Sequence, residues 1–292
     1  MTLKQALSRA RGILAEKNID DAPLECELLL RHALGISRTQ LYLDLDHELS
    51  PKQEEAFWRL LKRRLNGEPT AYITGHREFY GLDFYVDPRV LIPRPESELL
   101  VETALGLAQN HPLSTMADIG TGCGAIAISL ALSLPEAKIY ATDISTAALE
   151  VAVVNCQKHE VVDKVHLLHG NMLDPLPESV DLIIANLPYV RKSQLARMGS
   201  ARFEPRLALD GGLDGTERIR QVCRQVGGKL RPSGFLLLEI GQGQRSAVTA
   251  FLHTLFPNGK IEVVPDLSDI DRVVRLSLTN HPVLLDTQWL HC

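Results

Sequence analysis

Residues 180–190 read Val-Asp-Leu-Ile-Ile-Ala-Asn-Leu-Pro-Tyr-Val. The apolar run ending at Ala185 predicts a short buried strand. It stops abruptly at Asn186-Leu187-Pro188-Tyr189. In an open α/β sheet, ligands bind beyond the carboxyl ends of the strands, so this tetrapeptide is expected to face a site. It offers a side-chain amide with an acceptor and donors, a backbone carbonyl beside a rigid proline, and a flat ring. That set suits a planar amide or amino group, held through its N–H atoms and stacked on one face. A plain loop with a capping Asn and a core Tyr has the same sequence, so a second motif has to decide.

The second motif lies upstream. Met116-Ala117-Asp118-Ile119-Gly120-Thr121-Gly122-Cys123-Gly124 reads as a strand ending in a glycine-rich turn that opens a helix. Glycines let a backbone turn tightly and approach a ligand closely. Asp143 ends the next predicted strand, 23 residues after Gly120. Its carboxylate can accept both hydroxyls of a ribose. The pair points to an adenosine-containing cofactor without saying which, because Gly120, Gly122 and Ala125 also satisfy the looser dinucleotide pattern. Asp118 steadies either the turn or an amine of the cofactor. Met172, after the third strand, packs on a base or in the core.

Working outward, strands are expected at 115–120, 138–143, 165–170, 180–186, 234–240, 259–265 and 272–278. Helices are expected at 124–133, 145–158, 215–230 and 243–255. This alternation means βαβ units and a parallel sheet covered on both faces, an α/β fold. Only Asp266 to Asp271 separate the last two strands. So short a link cannot cross over between parallel strands, so the last strand is expected to run antiparallel.

Residues 1–74 read as a helical domain. Leu3, Ala6, Leu7, Ala10 and Leu14 share one face. Asp21 before Ala22-Pro23 starts a second helix and Gly35 ends it, with Leu24, Leu28, Leu29 and Leu34 expected as its buried face. Ser37 caps a short third helix through Leu43. Ser50-Pro51-Lys52-Gln53 opens a fourth, which ends at Asn66-Gly67. Arg59, Lys62, Arg63 and Arg64 read as a solvated basic face ahead of the alternative, a partner-binding patch. Residues 75–95 form a linker with a hairpin around Gly81 and Asp83, stiffened by Pro93 and Pro95. Residues 96–278 form the α/β domain, and 279–292 a tail containing Trp289.

The composition narrows the function. The 292 residues are 45% hydrophobic and 23% charged, with net charge −5. An acidic chain lacks the basic excess of a stable nucleic-acid binder. Cys26, Cys123, Cys156, Cys223 and Cys292 form no C-x-x-C pair, which argues against a disulfide framework and a zinc site. The ten histidines show no metal-ligand spacing, so no metal is expected. The amino terminus has no apolar signal core, and no apolar run approaches membrane-spanning length. The expected setting is the cytoplasm, with no membrane partner and a monomeric state.

Together, GEPTAYITGHREFYGLDFYV, LIPRPESELLVE, DIGTGCGAIAISLA, ATDIS, NLPYV, FEPRLALDGGLDG and GGKLRPSGFLLLEIG, in order over residues 67–278, resemble the release-factor glutamine methyltransferase family. The resemblance implies a seven-stranded class I methyltransferase sheet using S-adenosyl-L-methionine. The implied reaction is methylation of the side-chain amide nitrogen, N5, of the glutamine in the Gly-Gly-Gln motif of peptide-chain release factors. Carried over by position, Gly120, Thr121, Gly122, Cys123 and Gly124 line the cofactor, Asp143 binds its ribose, and Met172 falls beside its adenine. Asn186, Leu187, Pro188 and Tyr189 hold the substrate glutamine as the catalytic set, with Asn186 also next to the cofactor. Leu187 stands where the family has its first proline, and Ser97 where it commonly has Thr. The resemblance leaves open glutamine methylation of a ribosomal protein. Further off lie adenine-N6 methylation of nucleic acid and a non-catalytic adenosine-binding module.

Overall fold

The computed structural model describes residues 1–195 and 202–278. The expected tail, with Trp289, lies outside the described residues. The chain opens with α1 (Leu3–Glu16), α2 (Ala22–Leu34), α3 (Arg38–Leu43), α4 (Pro51–Leu65) and α5 (Thr70–Thr74). Thr2, Ser37 and Ser50 each begin a helix with a reciprocal capping box to a Gln three residues on. Asp21 precedes α2 differently from expectation. It sits in the left-handed region (φ 50°) and its side chain caps nothing, so Pro23 carries the start.

The buried face of α2 also departs from expectation. Ala22, Cys26, Leu29 and Leu30 face the other helices, whereas Leu24 is 49% and Leu28 36% exposed. These two sit four residues apart on the opposite stripe, and counting leucines does not tell which stripe meets a neighbour. Glu27 is buried on this helix and accepts from Tyr42 at 2.9 Å and from Arg31 and Arg38. Arg63 and Arg64 of the basic cluster are tied to Glu68 and Glu25. Most buried apolar residues of α1–α5, from Leu3 to Ile73, form one apolar cluster, while Tyr72 of α5 packs into the main core.

A hairpin follows, β1 (His76–Phe79) against β2 (Leu82–Tyr85), antiparallel. Its two-residue turn has both residues at positive φ, Tyr80 at 52° and Gly81 at 71°, the geometry that matches strand twist. Phe79 and Phe84 meet edge to face at 6.2 Å inside the main core. The connector buries Val90 and Ile92, turns at Pro95–Ser97, and enters α6 (Glu98–Ala108).

The remaining strands are β3 (Thr115–Ile119), β4 (Lys138–Asp143), β5 (Val165–His169), β6 (Val180–Ala185), β7 (Leu230–Glu239), β8 (Lys260–Pro265) and β9 (Asp271–Ser277). Between them run α7 (Ala125–Ser133), α8 (Thr146–Lys158), α9 (Lys192–Leu195), α10 (Glu217–Val226) and α11 (Arg245–Leu255). The sheet order is β5-β4-β3-β6-β7-β9-β8. Every neighbouring pair is parallel except the two made by β9, which is inserted antiparallel between β7 and β8. β7 begins four residues before the expected 234, because its pairing resumes across a register shift near Val180. Two apolar clusters cover the two faces, one under α6, α7 and the hairpin, the other under α10 and α11.

The order reverses at the centre, since β3 has β4 on one side and β6 on the other. The carboxyl ends of these three strands carry Gly120, Asp143 and Asn186. A crevice at this switch point is where such sheets bind ligands.

Candidate active site

The glycine-rich turn is built by backbone geometry and one buried acid. Gly120, Gly122 and Gly124 take φ of 72°, 56° and 86°, a region costly for other residues. At Gly120 an added Cβ would lie 3.2 Å from Cδ2 of Leu187, so the turn and the Asn-Leu-Pro-Tyr segment pack directly together. Asp118 is buried and accepts from the Thr121 hydroxyl at 2.7 Å. Burial pushes its carboxyl up to about 6, against the pull of Thr121 and the Ala127 amide. Of the two roles open for Asp118, the structure shows the one that steadies the turn.

Asp143 points back across the same turn. One carboxylate oxygen accepts from the Gly122 amide at 2.9 Å and the other from the Ser145 amide at 2.9 Å. Burial raises its pKa, opposed by those amides and that of Ile144. Each oxygen has lone-pair capacity beyond one amide, so the group fits two hydroxyls of a ribose. Asn155 joins this turn to the hairpin. It is fully buried, accepts from Tyr85 N at 2.8 Å, and donates to Tyr85 O at 3.0 Å and Cys123 O at 2.9 Å.

These elements enclose a crevice with about 930 Å³ of empty space, its open mouth included. Gly120, Gly122, Asp143, Met172, Asn186, Leu187 and Pro188 line it. Thr121, Cys123, Gly124 and Tyr189 lie behind the wall. Thr121 is bonded to Asp118, the Cys123 side chain is in the core, Gly124 starts α7, and Tyr189 faces Glu239. Ile144, 52% exposed, and Leu207, also 52% exposed, supply apolar flanks on the same crevice. An apolar residue directly after the acid that ends β4 was a readable signal for Ile144; Leu207, in a single 3-10 turn at Arg206–Ala208, carried none. The donor set fits S-adenosylmethionine: a carboxylate for a ribose, apolar faces for a base, and backbone turning closely past.

The Asn186 end is held by residues that sequence spacing did not suggest. Asn186 donates through Nδ2 to the Ser97 hydroxyl at 2.8 Å. Ser97 donates to one oxygen of Glu239 at 2.6 Å, and the Tyr189 hydroxyl donates to the other at 3.2 Å. Glu239 ends β7 and is buried, which raises its pKa against the pull of Ser97, Tyr189 and Arg272. Tyr189 is raised too, by burial and by Glu239. Gln244 fixes the backbone, donating to Tyr189 O at 3.0 Å and Gly215 O at 3.1 Å while accepting from Gly241 N. Leu187 is buried in the apolar cluster with Ile119 and Ala185. On the rim, buried Glu204 accepts from Arg94 at 2.6 Å and from Ile92 N.

Comparison with known proteins agrees with this geometry. Residues 5–75 match the PrmC N-terminal domain family and residues 95–203 the methyltransferase small domain family. A methyltransferase from Pyrococcus furiosus shares the fold, with TM-score 0.53 at 18% identity over 69% of this chain and 91% of that one. The switch-point crevice, the reversed β9 and these matches define an S-adenosylmethionine-dependent methyltransferase with a seven-stranded class I sheet. The release factor glutamine methyltransferase of Moorella thermoacetica is 44% identical over 274 residues, 93% of this chain and 97% of its own length. That of Geobacter sulfurreducens is 39% identical over 94% of this chain and 95% of its own. The chain belongs to the release factor glutamine methyltransferase family.

Proposed function

We propose that this protein methylates N5 of the glutamine in the Gly-Gly-Gln motif of peptide-chain release factors, with Asn186 and the Leu187 carbonyl as the clamp on the target amide. One observation carries the clamp: Asn186 lines the cofactor crevice while its donor end is taken up by Ser97, leaving its oxygen as the acceptor. S-adenosylmethionine, when bound, supplies a methyl group on a positively charged sulfur. An amide nitrogen is a poor nucleophile because its lone pair is delocalised. Asn186 Oδ1 and the Leu187 carbonyl accept its two N–H bonds and stop the amide from rotating. Such positioning contributes several kcal/mol toward a transfer barrier. Tyr189, its hydroxyl anchored on Glu239 behind the crevice wall, braces the segment that carries the two acceptors. The proton left on the methylated nitrogen is acidic and departs along the same two acceptors to water.

The parts divide the work as follows. Residues 1–74 orient the protein substrate, 75–95 link, and 96–278 transfer the methyl group. The separate apolar cluster of α1–α5 supports this division. So does the cleft between α2, α5 and the hairpin, which exposes Leu24 and Leu28 and ends at Arg94 and Glu204. The net charge of −5 speaks against a stable nucleic-acid partner, the release-factor substrate supports a cytoplasmic setting, and no helix among the described residues is long and apolar enough to cross a membrane.

The test is mass spectrometry of a purified release factor after incubation with the enzyme and methyl-labelled S-adenosylmethionine. A label on the Gly-Gly-Gln glutamine is expected. A label elsewhere, or none, overturns the substrate assignment.

A further inference from the structure

We propose that Ser97 and Glu239 are positioning residues that decide which end of the Asn186 amide faces the substrate. The proposal rests on the amide-clamp reading and adds what makes the clamp one-sided. An Asn side chain is nearly symmetric in shape, yet only its oxygen can accept from a target N–H; its NH₂ would repel it. Something must therefore set the orientation.

The chain of contacts does so by donor counting. Glu239 receives two hydroxyls, Ser97 at 2.6 Å and Tyr189 at 3.2 Å, one on each carboxylate oxygen. Glu239 accepts on both of its oxygens, so both hydroxyl protons point at it. Ser97 has a single proton. With that proton on Glu239, Ser97 presents only lone pairs to Asn186, and Nδ2 must donate, as it does at 2.8 Å. The reverse arrangement would turn the Ser97 proton toward Asn186 Oδ1. Two oxygens 2.6 Å apart would then face each other with no proton between them. Ser97 and Glu239 are both buried, so water does not readily supply a substitute.

The sequence feature behind this is modest. Ser97 is the residue at which the chain has Ser in place of the family's usual Thr. Only a hydroxyl is required there, so either residue serves. Glu239 comes from a different element, the end of β7, 142 positions away. The device therefore spans the connector into α6 and two adjacent strand ends, and it operates whether or not substrate is present.

The experiment measures release-factor methylation over a range of cofactor concentrations up to saturation for the full-length wild type, Ser97→Ala, Ser97→Thr, Ser97→Cys and Asn186→Ala, with melting curves confirming folding. Ser97→Ala is expected to lose about tenfold in kcat with the KM for cofactor within twofold, and Ser97→Thr to stay within threefold of wild type. Should Ser97→Ala fail to fold, Ser97→Cys carries the test, since its thiol donates and accepts only weakly. Glu239→Gln, which offers Ser97 an NH₂ as readily as an oxygen, should lower kcat in the Ser97 enzyme and have little further effect in the Ser97→Ala enzyme.

A Ser97→Ala enzyme at the wild-type kcat, beside an impaired Asn186→Ala enzyme, overturns the positioning role and leaves the clamp standing. Equal losses in Ser97→Thr and the hydroxyl-deficient variant also overturn it. Fully additive losses for Glu239→Gln remove Glu239 from the device. Wild-type turnover by Asn186→Ala would instead remove the clamp itself.

Discussion

Asn155→Ala tests how the cofactor turn is held. Asn155 is fully buried and makes three hydrogen bonds, one from Tyr85 N and one each to Tyr85 O and Cys123 O. Truncation orphans all three backbone groups. A buried group left without a partner costs about 1–3 kcal/mol. Cys123 O is enclosed and bears the full cost, whereas Tyr85 is half-buried and regains some water. The expected loss of stability is about 3 kcal/mol, or roughly 6–10 °C in melting temperature at this chain length. Because Cys123 O belongs to the glycine-rich turn that walls the crevice, S-adenosylmethionine affinity should also fall several-fold by titration calorimetry. Asn155→Asp sharpens the test. It keeps the acceptor for Tyr85 N but sets a carboxylate against two carbonyl oxygens, so at pH 7 it should destabilise more than Ala. An Asp variant as stable as the Ala variant, or an Ala variant within 1 kcal/mol of wild type, would refute this role for Asn155.

Three further expectations concern the site. Asp118 is raised from 3.8 to about 6, so the folded state binds more protons than the unfolded state between those values. Wild-type stability should therefore fall relative to Asp118→Asn as pH rises from about 4 to 6, by about 3 kcal/mol, and the difference should be flat above; a pH-independent difference would show that the buried acid is not carrying this penalty. Asp143→Ala should weaken S-adenosylmethionine binding by about 1.5–3 kcal/mol in calorimetry, and unchanged affinity in the folded variant would remove Asp143 from the site. Leu187→Pro should keep turnover within twofold, since only the carbonyl is used there, but lose about 1–2 kcal/mol of stability because the Leu side chain is buried against Gly120; a large loss of turnover would mean that the side chain matters to the clamp.

The sheet was legible because its signals are local. Apolar runs ending in Gly120, Asp143 and Asn186 announce three strands and the face of the sheet where they end. The five residues from Asp266 to Ile270 are too few for a crossover, so β9 reverses. Strand order was not legible: nothing local says that β9 slips between β7 and β8. The exposed stripe of Leu24 and Leu28 was missed because a leucine-rich helix offers two apolar faces, and only tertiary packing chooses between them. The short α5 has one turn and little periodicity to read. The half of the crevice built by the glycine-rich turn and Asp143 was legible from spacing, since a strand and its following turn are contiguous. Its supporting half was not. Ser97, Asn155 and Glu239 reach their partners across 89, 70 and 142 positions. Their residue types are common in caps and on surfaces, so only the folded arrangement gives them a role.

The most direct test of the central claim compares wild type with Asn186→Ala and Asn186→Asp in single-turnover methylation of a purified release factor, with the labelled peptide identified by mass spectrometry. Asn186→Ala should bind S-adenosylmethionine nearly normally and melt within a few degrees of wild type, yet transfer methyl on the order of a hundredfold more slowly, because the amide is no longer held in line. Asn186→Asp retains acceptors and should lose less than Ala. A folded Asn186→Ala enzyme that methylates the glutamine at the wild-type rate would contradict the reading of Asn186-Leu187-Pro188-Tyr189 as an amide clamp.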